Sequence, residues 1–183
     1  MKLWPPVSSP LRHSLGIVQR PAAPAAANGF QAAHAGLLLA SYQHLTGRRL
    51  LPDEHSCLLA ARELYFAPFV MLSHEGGEDP VFTYANLTAQ ILFAMPWHEI
   101  VGLPSRYSAE PLVREARQRL LDTVSRQGYI DDYQGVRIAR DGRRFEIHRA
   151  TVWNLTDAAG ELVGQAATFA EWTELAAGVG RAR

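Results

Sequence analysis

The residues Tyr133 to Trp172, YQGVRIARDGRRFEIHRATVWNLTDAAGELVGQAATFAEW, decide the fold, because they read as three consecutive strands joined by two short turns. Tyr133 to Asp141 runs into Asp141-Gly142, a strong short hairpin signal. Arg144 to Thr156 follows, with Phe145, Ile147, Thr151, Trp153 and Leu155 spaced so that alternation puts them on one face of a sheet. After the turn at Asp157 to Gly160, a third strand is expected from Glu161 to Trp172. Its small residues Gly164, Ala166 and Ala167 mark a place where something approaches the sheet closely.

Upstream, Phe69 to Ser73 and Val81 to Ala85 read as a hairpin around the acidic glycine turn Glu75 to Pro80. Asn86 suits the N-cap of a helix through Phe93, and Pro96 opens a short helix closed by Gly102. Pro104 to Pro111 reads as a loop in which Ser108 caps a longer helix running to Ser125, ended by Gly128. Strands at both ends of a helical middle predict an α+β domain, a five-stranded antiparallel sheet with helices on one face.

Two further helices are expected before this core: Gln31 to Leu45, capped by Asn28 and stopped at Gly47, and His55 to Tyr65. The expected organisation is a Pro/Ala-rich tail over 1–27, flexible or docked in an extended form, N-terminal helices over 28–66, the core over 67–175, and a short tail over 176–183.

Composition bounds the function. The chain has 183 residues, zero formal net charge and Lys2 as its only lysine. Without a basic surplus, nucleic-acid binding is not expected. Seven acids against Arg62 fall between Asp53 and Glu99, and nine arginines against six acids between Arg114 and Arg149, which reads as two solvated faces. The lone cysteine, Cys57, excludes an intramolecular disulfide and suits a reducing compartment, so the cytoplasm is expected. No signal peptide is legible, and the apolar run Leu37 to Ala40 is too short to span a membrane.

Several strings together resemble the MEKHLA domain, a family related to the PAS sensory fold. They are SYQHLTGRRLL (41–51), LSHEGGEDPVFTYAN (72–86), GLPSRYSAEP (102–111), QGYIDDYQGVRIARDGRRFEI (127–147), TVWNL (151–155) and GQAATF (164–169). The YAN string before a helix and HEIVG at 98–102 match the usual opening of PAS domains. The resemblance implies a PAS-like sensory module. Blue-light sensors of that fold form a covalent flavin adduct on a cysteine in an asparagine-cysteine-arginine context, whereas here Leu87 follows Asn86 and Cys57 lies in an earlier helix. Haem-binding members present a histidine from the long helix, and Glu110 to Gln127 has none. The resemblance therefore argues against both a covalent flavin adduct and haem, and leaves an unmodified organic ligand, a non-covalent flavin or no ligand at all.

Candidate chemistry is sparse. His74, Glu75 and Asp79 fit a polar hairpin turn, Asp131 and Asp132 fit ion pairs with nearby arginines, and His98 and His148 fit surface positions. HExxH, CxxC, GxSxG and phosphate-binding glycine loops do not occur, so no catalytic residue and no metal site is assigned. Tyr84, Asn86, Tyr133, Trp153, Gln165 and Phe169 are the candidate lining of a pocket for a small apolar or aromatic ligand. Two readings follow: a ligand-sensing domain, or a ligand-free interaction or dimerisation module. In either, Leu37 to Leu51 is expected to cover the open sheet face, or a homodimer to do so.

Overall fold

A computed structural model describes residues 20–52, 56–109, 114–157 and 159–176. The ends of both expected tails, the opening of the second expected helix and residues 110–113 lie outside them. Helices α1 (Ala32–Thr46) and α2 (Cys57–Phe66) precede strands β1 (Val70–Glu75) and β2 (Phe82–Ala85). Then come α3 (Leu87–Leu92), α4 (Trp97–Ile100), α5 (Arg114–Gln127), β3 (Tyr129–Ile138), β4 (Arg144–Thr156), β5 (Leu162–Phe169) and β6 (Glu171–Leu175). All strand pairs are antiparallel, in the order β2-β1-β5-β4-β3, with β6 on β4.

There are six strands where five were expected, because the third expected strand is divided at Ala170. Thr168 faces Thr151 on β4, and Glu171 faces His148. Both pairs keep one register, so β5 and β6 occupy a single lane beside β4. The break falls opposite Arg149, whose φ of 49° is left-handed. Such a residue interrupts the pleat.

This interruption corrects the one-face reading of β4. Phe145 and Ile147 share a face with Ala150 and Val152, whereas Thr151 and Trp153 point to the other side. On the first face, the segment from α3 to α5 brings Phe93, Ser108 and Leu120 over the sheet. On the second face lies α1: Trp153 Nε1 donates to Ser41 Oγ at 3.0 Å, and the Tyr42 ring meets Trp153 edge-on at 5.1 Å. With α2 packed on α1, the apolar surface of both sheet faces is removed from water. The sheet face opposite α3 to α5 is thus covered within the chain.

Asn86 caps α3 as expected, accepting from Ala89 N at 3.0 Å. Asn28 does not cap α1. It sits in a 3-10 turn, where its side chain accepts from Ala25 N and donates to Ala23 O, binding the chain that precedes it. The Ser108 hydroxyl donates to Ser105 O at 2.7 Å within a 3-10 turn, and the start of the helix it was expected to cap lies at 110–113, outside the described residues. Arg20 and Pro21 dock against α4: Trp97 Nε1 donates to Pro21 O at 2.7 Å and Arg20 to His98 O at 2.6 Å. Among the described residues no helix is long and apolar enough to cross a membrane.

Candidate functional site

Between the sheet and the α3 to α5 segment lies a cavity of about 60 Å³. Its wall is mainly apolar: Leu72, Phe82, Phe93, Leu120, Ile147, Ala150, Val152, Ala167 and Phe169. Alternation explains the set, because Leu72, Ala167 and Val152 stand in cross-strand register on three adjacent strands. The polar lining comes from Ser73 and His74 of β1, from Ser108, and from β3. On β3, Tyr133 faces Ala150 and Gly135 faces Ile147, and Arg137 faces Phe145. Arg137 Nη2 donates to the Tyr133 hydroxyl at 3.3 Å, and the guanidinium lies 5.5 Å from the Tyr133 ring centre. Gly135 makes this possible, because a side chain there would overlap both groups.

Of the sequence candidates, Tyr133 and Phe169 line the cavity. Trp153 does not, being turned toward α1 by the left-handed residue at 149. The small residue beneath it, Ala166, faces Trp153 in the β4-β5 register, so the contrast of large and small is filled by the indole itself. Gly164 is closely approached, as expected, but by the His74 backbone of β1.

Gln165 lies on the cavity face beyond the cavity. Its Nε2 donates to Asn154 Oδ1 at 3.1 Å and to Ser125 Oγ at 3.0 Å, which ties α5 to the sheet. Asn86 is fully buried and wholly engaged. It accepts from Met71 N and Ala89 N at 3.0 Å each and donates to Phe69 O at 2.7 Å and Leu64 O at 3.3 Å.

Tyr84 belongs to the α1 face. Its ring stacks on His34 at 5.5 Å and meets Trp97 edge-on at 5.7 Å, and its buried hydroxyl has no hydrogen-bond partner among the described residues. Burial, with the Tyr65 hydroxyl nearby, pushes its pKa above the usual tyrosine range. His34 bonds Ser73 Oγ at 2.9 Å, and burial lowers its pKa. The cavity walls on β1 and on α3 to α5, together with Arg137, were not singled out from the sequence, since a pocket wall of Leu, Phe and Val has the pattern of any core.

A broader, open cleft of about 610 Å³ lies on the α1 side, edged by Tyr42, Arg48, Asp131 and Arg149. Three of its charged side chains, Arg48, Asp131 and Arg149, are engaged in ion pairs. Arg48 meets Asp131 at 2.8 Å, and Arg149 bonds Glu171. The Thr151 hydroxyl, with Arg48, holds the Asp131 carboxyl below the usual range. His74 Nδ1 bonds the Glu75 carbonyl and Asp79 pairs with Arg106, as a polar hairpin turn requires. Among the described residues no group of three His, Cys, Asp or Glu is placed to hold a metal ion.

A five-lane antiparallel sheet, with a helical segment across one face and an N-terminal helix on the other, is the architecture of PAS-like domains. The PAS domain of a protein from Colwellia psychrerythraea superposes with a TM-score of 0.55 at 13% identity, covering 64% of this chain and 94% of that one. The light-state dimer of the fungal blue-light photoreceptor Vivid gives 0.52 at 13% identity, over 74% of this chain and 92% of that one. A light-oxygen-voltage domain studied with a flavin analogue gives 0.50 at 15% identity, over 63% and 83%. At these identities the likeness shows the fold alone. The family model of the MEKHLA domain matches residues 32–174, and the chain belongs to that family. No curated protein matches it by sequence.

Proposed function

We propose that this MEKHLA domain is a sensory module that binds a small, largely apolar molecule non-covalently in the cavity between the sheet and the α3 to α5 segment. The observation that carries the reading is the cavity itself, apolar on most sides with Ser73, His74, Ser108, Tyr133 and Arg137 as its polar lining. The route of the signal follows from the pleat. Val152, Ala166 and Ala167 touch the cavity, and Trp153, next to Val152 and in register with Ala166, faces the side on which α1 docks. A ligand that displaces the cavity wall therefore changes the seat of α1. The reading assigns no catalytic residue, and the exposed unpaired Cys57 suits a cytoplasmic setting.

The test is a thermal-shift screen of small metabolites against the full chain and its Ala167→Val variant, in which added methyl groups occupy the cavity. A ligand at about a hundred times its dissociation constant adds about 2.7 kcal/mol. At this chain length that raises Tm by roughly 5–11 °C. The variant is expected to fold and to lose the shift. A shift that survives in Ala167→Val would place the ligand elsewhere.

One observation favours a second reading, an interaction module. Leu58, Leu59 and Phe66 on α2 are 49–52% exposed, and Ile91 on α3 is 67% exposed. An exposed apolar set of this kind marks contact surfaces. Sedimentation of wild type and Ile91→Asp over a concentration series tests it. Association that the substitution abolishes supports the interaction module, and a monomer throughout removes it.

A further inference from the structure

Arg137 differs in its surroundings from the five described arginines that pair with carboxylates. Arg48 pairs with Asp131, Arg106 with Asp79, Arg140 with Glu99, Arg143 with Asp141 and Glu174, and Arg149 with Glu171. Arg137 lines the cavity, and among the described residues it has no carboxylate partner. Its bonds go to neutral acceptors, the Val136 carbonyl at 2.9 Å and the Tyr133 hydroxyl at 3.3 Å. A guanidinium carries five N–H donors in a fork that matches a carboxylate, so most of its donor capacity is unused by the protein. A cation withdrawn from water toward an apolar cavity without a counter-charge is costly, and a bound anion relieves that cost.

We infer that the ligand of this cavity is a short-chain aliphatic carboxylic acid, bound as its monoanion. Its carboxylate is held by Arg137 and the Tyr133 hydroxyl, and its alkyl chain lies against Ile147, Val152 and Phe169. This inference rests on the ligand-sensing reading and names the chemical class. One guanidinium and one hydroxyl match a single monoanionic head. Gly135 leaves the space over which both polar groups fold, so the head group sits at β3 while the cavity beyond receives the tail. A volume of about 60 Å³ restricts that tail to a few carbons. For comparison, a cavity of about 150 Å³ accepts benzene.

The test compares butanoate with butanamide, which has the same shape without the charge, by NMR titration of the full chain. Butanoate is expected to bind at least about tenfold more tightly, the size of one charge-assisted hydrogen bond. Arg137→Met is expected to bring butanoate to the butanamide level while leaving butanamide unchanged. Tyr133→Phe, which removes only a hydroxyl, is expected to weaken butanoate alone, and it serves if the Arg137 variant does not fold. Equal binding of acid and amide, or a preference that survives both substitutions, overturns the carboxylate assignment while leaving a working cavity. Binding of neither probe overturns the assignment and counts against the cavity reading for molecules of this size.

Discussion

Replacing Asn86 separates a structural junction from a ligand handle. Its carboxamide joins three elements, through Met71 N on β1, Ala89 N in α3 and the carbonyls of Leu64 in α2 and Phe69. In Asn86→Ala the lost cap costs about 1 kcal/mol. The buried Met71 N–H, left without its partner, costs about 1–3 kcal/mol more. Leu64 O keeps a second donor in Ala67 N, so its loss is small. A total near 3 kcal/mol lowers Tm by roughly 6–12 °C at this length. Asn86→Asp gives the sharper result. As an N-cap alone, Asp equals Asn. Here it keeps both acceptor contacts but turns a buried oxygen toward two carbonyls, and it must bury a charge. It is therefore expected to be at least as destabilised as the alanine variant at pH 7. It should recover as the pH falls and the carboxyl, whose folded pKa burial raises, takes up a proton that can be donated. The assay is urea unfolding at pH 7 and pH 4.5. An Asp variant as stable as wild type at pH 7, or an alanine variant within about 0.5 kcal/mol of it, the range of ordinary surface substitutions, would refute the junction.

Other substitutions test separate features. Tyr84→Phe removes an unpartnered buried hydroxyl and is expected to raise stability by about 1 kcal/mol in urea unfolding; a comparable loss would mean that the hydroxyl is satisfied. Gly164→Ala drives a methyl group into the His74 carbonyl between two backbones, with an expected loss of about 1–3 kcal/mol. Gly76→Ala, which meets nothing, is the neutral control in the same melts. His34 has a folded pKa below its unfolded value of 6.5, so the unfolded state takes up its proton first. Stability is therefore expected to fall as the pH drops below 6.5 toward the folded pKa. His34→Gln should flatten that part of the profile, and an unchanged slope would show that His34 does not set it.

Much of the fold was legible because local signals agreed with the global topology. The Asp141-Gly142 turn lies between β3 and β4, Arg144 to Thr156 is β4 to the residue, and Asn86 caps α3. The misreading came from a single backbone angle. Alternation carries no sign of a left-handed arginine at 149, yet it puts Trp153 under α1 and Val152 at the cavity. The candidate site was only partly visible. Tyr133 and Phe169 line the cavity, while Tyr84 and Trp153 are aromatic for the sake of the α1 dock, and Asn86 and Gln165 are polar for the sake of joints between elements. Arg137 was hidden among nine arginines of one stretch, and only its surroundings set it apart.

The most direct measurement is isotope-edited NOE spectroscopy of the full chain saturated with a stabilising compound from the screen. Contacts from the bound molecule to the methyl groups of Leu72, Ile147 and Val152 are the expected result. Contacts confined to Tyr42 and Leu50, at the cleft beside α1, would contradict a sensor built around the cavity between the sheet and α5.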